Sequence, residues 1–158
     1  MIKKVAKTNA IRYLDQHKIT YETFTYESDG ALDGIHVAKK IGQPIDHVFK
    51  TLVTTAGKGH YFVFIILVTS ELNLKLAARV ANVKKVEMVA VKELLPLTGY
   101  IRGGCSPIGM RKQFPTFIDA DAQKLNKMIV SAGKIGLQIK LAPKDLCEIV
   151  SAQFADVT

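Results

Sequence analysis

Apolar positions recur along the chain in two rhythms, one near 3.6 residues and one of 2, and the switches between them predict its elements. After Thr8, a natural N-cap, Ala10, Tyr13, Leu14 and His17 fall at i, i+3, i+4 and i+7, which predicts a helix. A strand is expected over residues 20–26. The polar stretch SDGALDG reads as loop, and IHVAKKIG as a short helix closed by Gly42 with Pro44 beyond it. FKTLVTT and YFVFIILVT flank AGKG, the pattern of a hairpin with a glycine-containing turn. Leu72, Leu76, Ala77 and Val80 mark another helix.

Residues 84–89 predict a brief strand, VKELLPLTG a short helix interrupted at Pro96, and PTFID a strand entering a capped turn. KMIVSAG and GLQIKL predict two more strands. Pro143 opens a final helix with Leu146, Ile149 and Val150 on its buried side. Repeats, low-complexity tracts and linkers are absent, so roughly seven strands and five or six helices must share one core.

The length of 158 residues fits one domain with a substantial core, and 48% hydrophobic with 23% charged residues is a globular balance. The longest apolar run, Tyr61 to Val68, is too short to span a bilayer, and MIKKVAKTNAIRYL lacks a secretory core. A cytoplasmic location is expected. Cys105 and Cys147 stand outside any CxxC pairing, and His17, His36, His47 and His60 show no HxH or HExxH spacing. Neither a metal nor another cofactor is expected. The net charge of +8 is spread along the chain. It fits a polyanionic partner such as nucleic acid, and equally a basic surface that only maintains solubility.

Three places could carry chemistry. In IRGGCSPIGMRK, Gly103 and Gly104 let backbone N–H groups approach a ligand, and Ser106-Pro107-Ile108-Gly109 fits a type I turn. Such a loop can present donors to a carbonyl oxygen or phosphate, with Arg111 and Lys112 behind it for a phosphate backbone; it can also be a plain tight turn. Lys50 lies within a largely apolar strand, so its ammonium either snorkels to a sheet edge or points into a cleft. Cys105 could be a nucleophile beside Arg102, or a small semi-buried residue. SAGKIG fails the Walker pattern, because Met128 stands where glycine is needed and Ile135 where Ser or Thr is needed. It leaves a glycine-rich turn.

Taken in order, VFKTLV, LNLKLAARVANVKKVEM, LTGYIRGGCSPIGMRKQFPTFID, IVSAGKIGLQIKLAPKDL and the terminal FAD resemble the YbaK/EbsC family of editing proteins, relatives of the insertion domain of bacterial prolyl-tRNA synthetase. The resemblance runs nearly end to end, residues 1–158. It implies an α/β (mixed α+β) single domain with a curved, barrel-like mixed sheet surrounded by helices. It also implies trans-editing of Cys-tRNA(Pro), with tRNA and prolyl-tRNA synthetase as partners. By match to the family's motifs, Lys50, Gly103 and Gly104 are the expected catalytic positions, and Tyr26, Thr51 and Ser131 the substrate-binding ones.

The mechanism implied is one in which the substrate's own thiol attacks its carbonyl to form a cyclic thiolactone, with Cys105 a bystander. Two positions depart from the family pattern and bear on substrate preference: Asp33, where an aromatic residue is common, and Gln138, where an acid is common. The alternatives are editing of another small amino acid, such as Ala-tRNA(Pro), or a non-catalytic tRNA-binding module of the same fold.

Overall fold

The computed structural model describes residues 7–158. The leading MIKKVA, the first part of the segment read above for a secretory core, lies outside them. Helix α1 (Asn9–Gln16) starts where Thr8 Oγ1 accepts the Ile11 N–H at 3.2 Å, and the same hydroxyl donates to the Ala132 carbonyl. One side chain thus caps the helix and ties it to a strand 124 residues away. Ala10, Ile11 and Leu14 are buried, whereas His17 is exposed; the buried stripe includes Ile11 in its stead.

Strand β1 (Glu22–Thr25) is shorter than expected. Helix α2 (Gly34–Lys40) is capped by Asp33. Strands β2 (Phe49–Gly57) and β3 (His60–Leu67) form the expected hairpin, turning through Lys58 and Gly59 at φ +52° and +79°. Two successive positive φ values are the mark of the type I′ turn, whose twist matches that of the strands.

Helix α3 (Leu74–Val80) is capped by Asn73, which accepts from the Lys75 and Leu76 N–H groups. The expected strand at 84–89 is reduced to β4 (Glu87–Met88), paired to Thr54 and Thr55 at the edge. Helix α4 (Val91–Thr98) runs through Pro96 instead of breaking there. Its last turn closes by other means: Thr98 Oγ1 donates to the Leu94 carbonyl at 2.7 Å, and Gly99 at φ +85° donates to Leu95.

Strand β5 (Thr116–Asp119) leads into a 3-10 turn whose Asp121 N–H is accepted by Asp119. Then come β6 (Met128–Lys134), β7 (Leu137–Leu141), α5 (Pro143–Ile149) and a strand the sequence pattern did not disclose, β8 (Gln153–Ala155).

The mixed α/β single domain holds, with its sheet divided in two. One sheet has the order β4-β2-β3-β5-β8, with β5 parallel to both β3 and β8; the other is antiparallel, β1-β7-β6. Among the described residues a single parallel bridge, Val48 to Ile129, joins them. The main core lies between the sheets and includes Val63, Ile65, Ile118, Met128, Val130 and Ile139, with Leu14 of α1 and Leu146 of α5. Phe62, Phe64 and Ile66 project to the other face of β3 and are covered by Ala77 and Ala78 of α3. A third cluster, Ala38, Val48, Val68 and Ile129, packs α2 over the bridge. Among the described residues no helix is long and apolar enough to cross a membrane.

Candidate active site

The two sheets part beyond the Val48–Ile129 bridge, and a cleft of about 660 Å³ opens there. Two residues on from the bridge, one strand carries Lys50 and the other Ser131, and both line it. Strand geometry decides what β2 offers. The Val48 carbonyl accepts from Val68 on the β3 side, while the Val53 carbonyl accepts from Val89 on the opposite side. Because antiparallel strands alternate their hydrogen-bonding side residue by residue, the N–H and C=O of Thr51 point away from β3. β4 covers that edge only at Thr54 and Thr55, so the Thr51 backbone edge faces the cleft.

Side chains of β2 add to this edge. Lys50 stands opposite Ile66 and is half-buried; of the seven ion pairs formed among the described residues, it takes part in none. Thr51 Oγ1 is buried and has no hydrogen-bond partner. A buried hydroxyl left unpaired costs about 1–3 kcal/mol, and one that lines a cleft is repaid when a ligand supplies the partner.

The glycine pair divides its duties. Gly104 donates its N–H to the Ile101 carbonyl at 3.0 Å, closing a turn in which Gly103 is third at φ +86°, as type II requires. Gly103 lines the cleft. Gly104 is buried beneath it, where a Cβ would lie 2.9 Å from backbone atoms of Lys134 and Ile135. The turn therefore falls at Ile101–Gly104. The Ser106–Gly109 segment is instead held by Ser106 Oγ accepting from Ile108 N–H at 3.2 Å, and by Tyr100 donating to the Ile108 carbonyl at 2.6 Å.

Cys105 also lines the cleft, yet it is only 8% exposed and burial pushes its thiol up to about 12. It is protonated at neutral pH and so a poor nucleophile. Tyr26 stands apart from the cleft lining, with its N–H donating to the Gly136 carbonyl beside the β6–β7 turn. Arg111 and Lys112 are exposed and outside the lining as well, whereas Arg102 belongs to it.

Sequence reasoning thus named Lys50, Thr51, Gly103 and Ser131 among the cleft residues. Asp33 and Gln138, which depart from the family pattern, line it as well, whereas Leu32, Gly34 and Ile35, which also line it, were expected only as loop and helix. Leu32 covers the Gly103 turn, since a Cβ on Gly103 would meet its Cδ2 at 3.0 Å. Gln138, 5% exposed, sits directly across from Ser131.

Residues 33–149, which contain nearly all of this cleft, match the model of the aminoacyl-tRNA editing domain. The chain belongs to that family. A protein of Enterococcus faecalis (strain ATCC 700802 / V583), named as a candidate Cys-tRNA(Pro)/Cys-tRNA(Cys) deacylase, EbsC, is 46% identical over 153 residues, covering 96% of this chain and 93% of that protein. Among solved structures, a candidate trans-editing enzyme for prolyl tRNA synthetase superposes with a TM-score of 0.82 at 21% identity, over 98% of this chain and 99% of that one. A hypothetical protein superposes with a TM-score of 0.86 at 21% identity, over 95% and 99%. The editing-domain family thus shares both the fold and the part of the sequence that builds the cleft.

Proposed function

We propose that the whole chain, residues 1–158, is one trans-editing deacylase that works in the cytoplasm on Cys-tRNA(Pro). The observation that carries the reading is a cleft with receptors for an ester but a protonated, buried thiol as its one cysteine: Thr51 Oγ1 unpaired, Lys50 unpaired, and Cys105 pushed up to about 12. Among the described residues lining it there is also no histidine to activate Ser131 or Thr51. The similarity to the Enterococcus faecalis deacylase supports the same reading.

The substrate then supplies the nucleophile. The cysteinyl thiol loses its proton and its sulfur bonds to the carbonyl carbon. The ester C–O bond breaks, and the leaving 3′-terminal hydroxyl of the tRNA takes up a proton. Water opens the resulting thiolactone to free cysteine. Holding thiol and carbonyl in a reactive geometry is the protein's main contribution, because a positioned intramolecular attack avoids the entropy of bringing two molecules together. Gly103 N–H and the Thr51 hydroxyl donate to the carbonyl oxygen as it gains charge. Lys50 holds that oxygen or the terminal nucleotide, and Ser131 lines the side-chain end of the cleft. In this scheme Gly104 supports the turn, and Tyr26 contacts the nucleotide outside the cleft. The basic surface meets the tRNA backbone, and prolyl-tRNA synthetase supplies the charged tRNA.

Proline tRNA charged in parallel with cysteine, alanine or proline tests this. Wild type should release cysteine selectively, and Lys50→Ala should slow release by about 10²-fold or more, the cost typical of removing one oxyanion partner. Release of alanine at an equal rate would demand an activated water. Salt-sensitive tRNA binding with no release would identify a binding module.

A further inference from the structure

We infer that Asp33 recognises the α-ammonium group of the aminoacyl ester, an assignment that rests on the deacylase reading above. An aminoacyl ester carries an amino group, charged over much of the neutral range, on the carbon next to the scissile carbonyl. Among the described residues lining the cleft, the charged side chains are Lys50, Arg102 and Asp33. The two cations suit phosphates and a developing oxyanion, and both repel an ammonium. Asp33 is the one carboxylate, for Gln138, Ser131 and Thr51 are neutral.

Local structure holds this carboxylate in place. Gly34, the next residue, lies so close to Val68, the residue that follows β3 and lines the cleft, that a Cβ would sit 2.1 Å from its Cγ1, so the start of α2 is pressed onto the wall of the cleft. Asp33 Oδ2 accepts the His36 N–H at 3.1 Å, which fixes the rotamer, while Oδ1 has the His36 ring at 3.4 Å. Each carboxylate oxygen accepts two hydrogen bonds, leaving capacity on both. On the other side of Asp33 in the chain, Leu32 touches Gly103. The receptor for the ammonium and the turn that meets the carbonyl therefore lie within one residue's reach, as the adjacent atoms of the substrate require.

An ester whose amine is acylated, as in a tRNA carrying a peptide, would leave Asp33 facing an uncharged amide. Such esters would be spared while free aminoacyl esters are cleaved.

The test uses two stable mimics of the tRNA end in which an amide replaces the ester: 3′-cysteinylamino-3′-deoxyadenosine and its 3-mercaptopropionyl counterpart, which lacks the amine. Wild type should bind the first about three- to fivefold more tightly, a gain of the size expected for an exposed, charge-assisted contact. Asp33→Asn and Asp33→Ser should abolish that preference. Asn and Ser are both strong N-caps, so neither should lower the melting temperature appreciably. Equal binding of the two mimics by wild type, no binding of either, or a preference retained in Asp33→Asn would overturn the assignment. Turnover of the charged tRNA is read separately, so inactive wild type that still prefers the amine would fault the deacylase reading and leave Asp33 in place.

Discussion

Lys50 and Thr51 are neighbours on one strand that face opposite ways, and the cleft reaches both because it wraps the open edge of β2. For Thr51 this makes stability and function pull in opposite directions. Replacing Thr51 by Val removes a buried hydroxyl without a partner and keeps the shape, so the variant should be about 1 kcal/mol more stable in urea unfolding. The same change should slow cysteine release, because the donor to the carbonyl is gone. A variant that lost stability and kept its rate would show that the hydroxyl is structural. Lysine in an apolar strand was legible from alternation alone, since burying an ammonium has few uses. The orphaned hydroxyl was not, because a threonine in a strand is ordinary until its surroundings are known.

At the scale of elements, local chemistry told most where a turn or cap defines the backbone. The Thr8 cap, the hairpin at Lys58 and Gly59 and the Pro143 helix start all follow from residues close in sequence. β8 did not, because three residues carry too little alternation to read and its pairing with β5 is tertiary. The division of the sheet was hidden for the same reason: nothing in VFKTLV states that Val48, just before β2, bridges to β6 and that β2 then leaves it. The glycine pair shows both limits at once. Both glycines look like ligand donors in sequence, yet Gly104 is needed for packing against the β6–β7 turn. Gly104→Ala should therefore cost about 2 kcal/mol of stability, since the atoms it would strike are backbone and cannot swing aside. Chemical denaturation checks this; an unchanged midpoint would mean that the turn shifts freely.

For the molecule as a whole, buried titratable groups set the alkaline limit. Burial pushes both Cys105 and Tyr100 up to about 12, whereas a solvated thiol ionises near about 8.5 and a phenol near about 10. Between those values and about 12 the unfolded chain sheds protons that the folded chain keeps, so stability falls as pH rises. The melting temperature should decline from about pH 9 upward, and Cys105→Ala should flatten the first part of that decline relative to its own value at pH 7. An equal slope in both proteins would assign the loss to other groups. Because Cys105 stays protonated through the neutral range, Cys105→Ala should also leave the pH profile of turnover unchanged. This separates the thiol in the cleft wall from the thiol proposed to do the chemistry, the substrate's own.

That claim is tested most directly by charging proline tRNA with cysteine and with S-methylcysteine and measuring ester loss for each with wild-type protein. Blocking the sulfur adds one methyl group and removes the nucleophile. Cysteine should be released rapidly, with S-methylcysteine lost no faster than without protein. Equal rates for the two would contradict the claim and assign the attack to water.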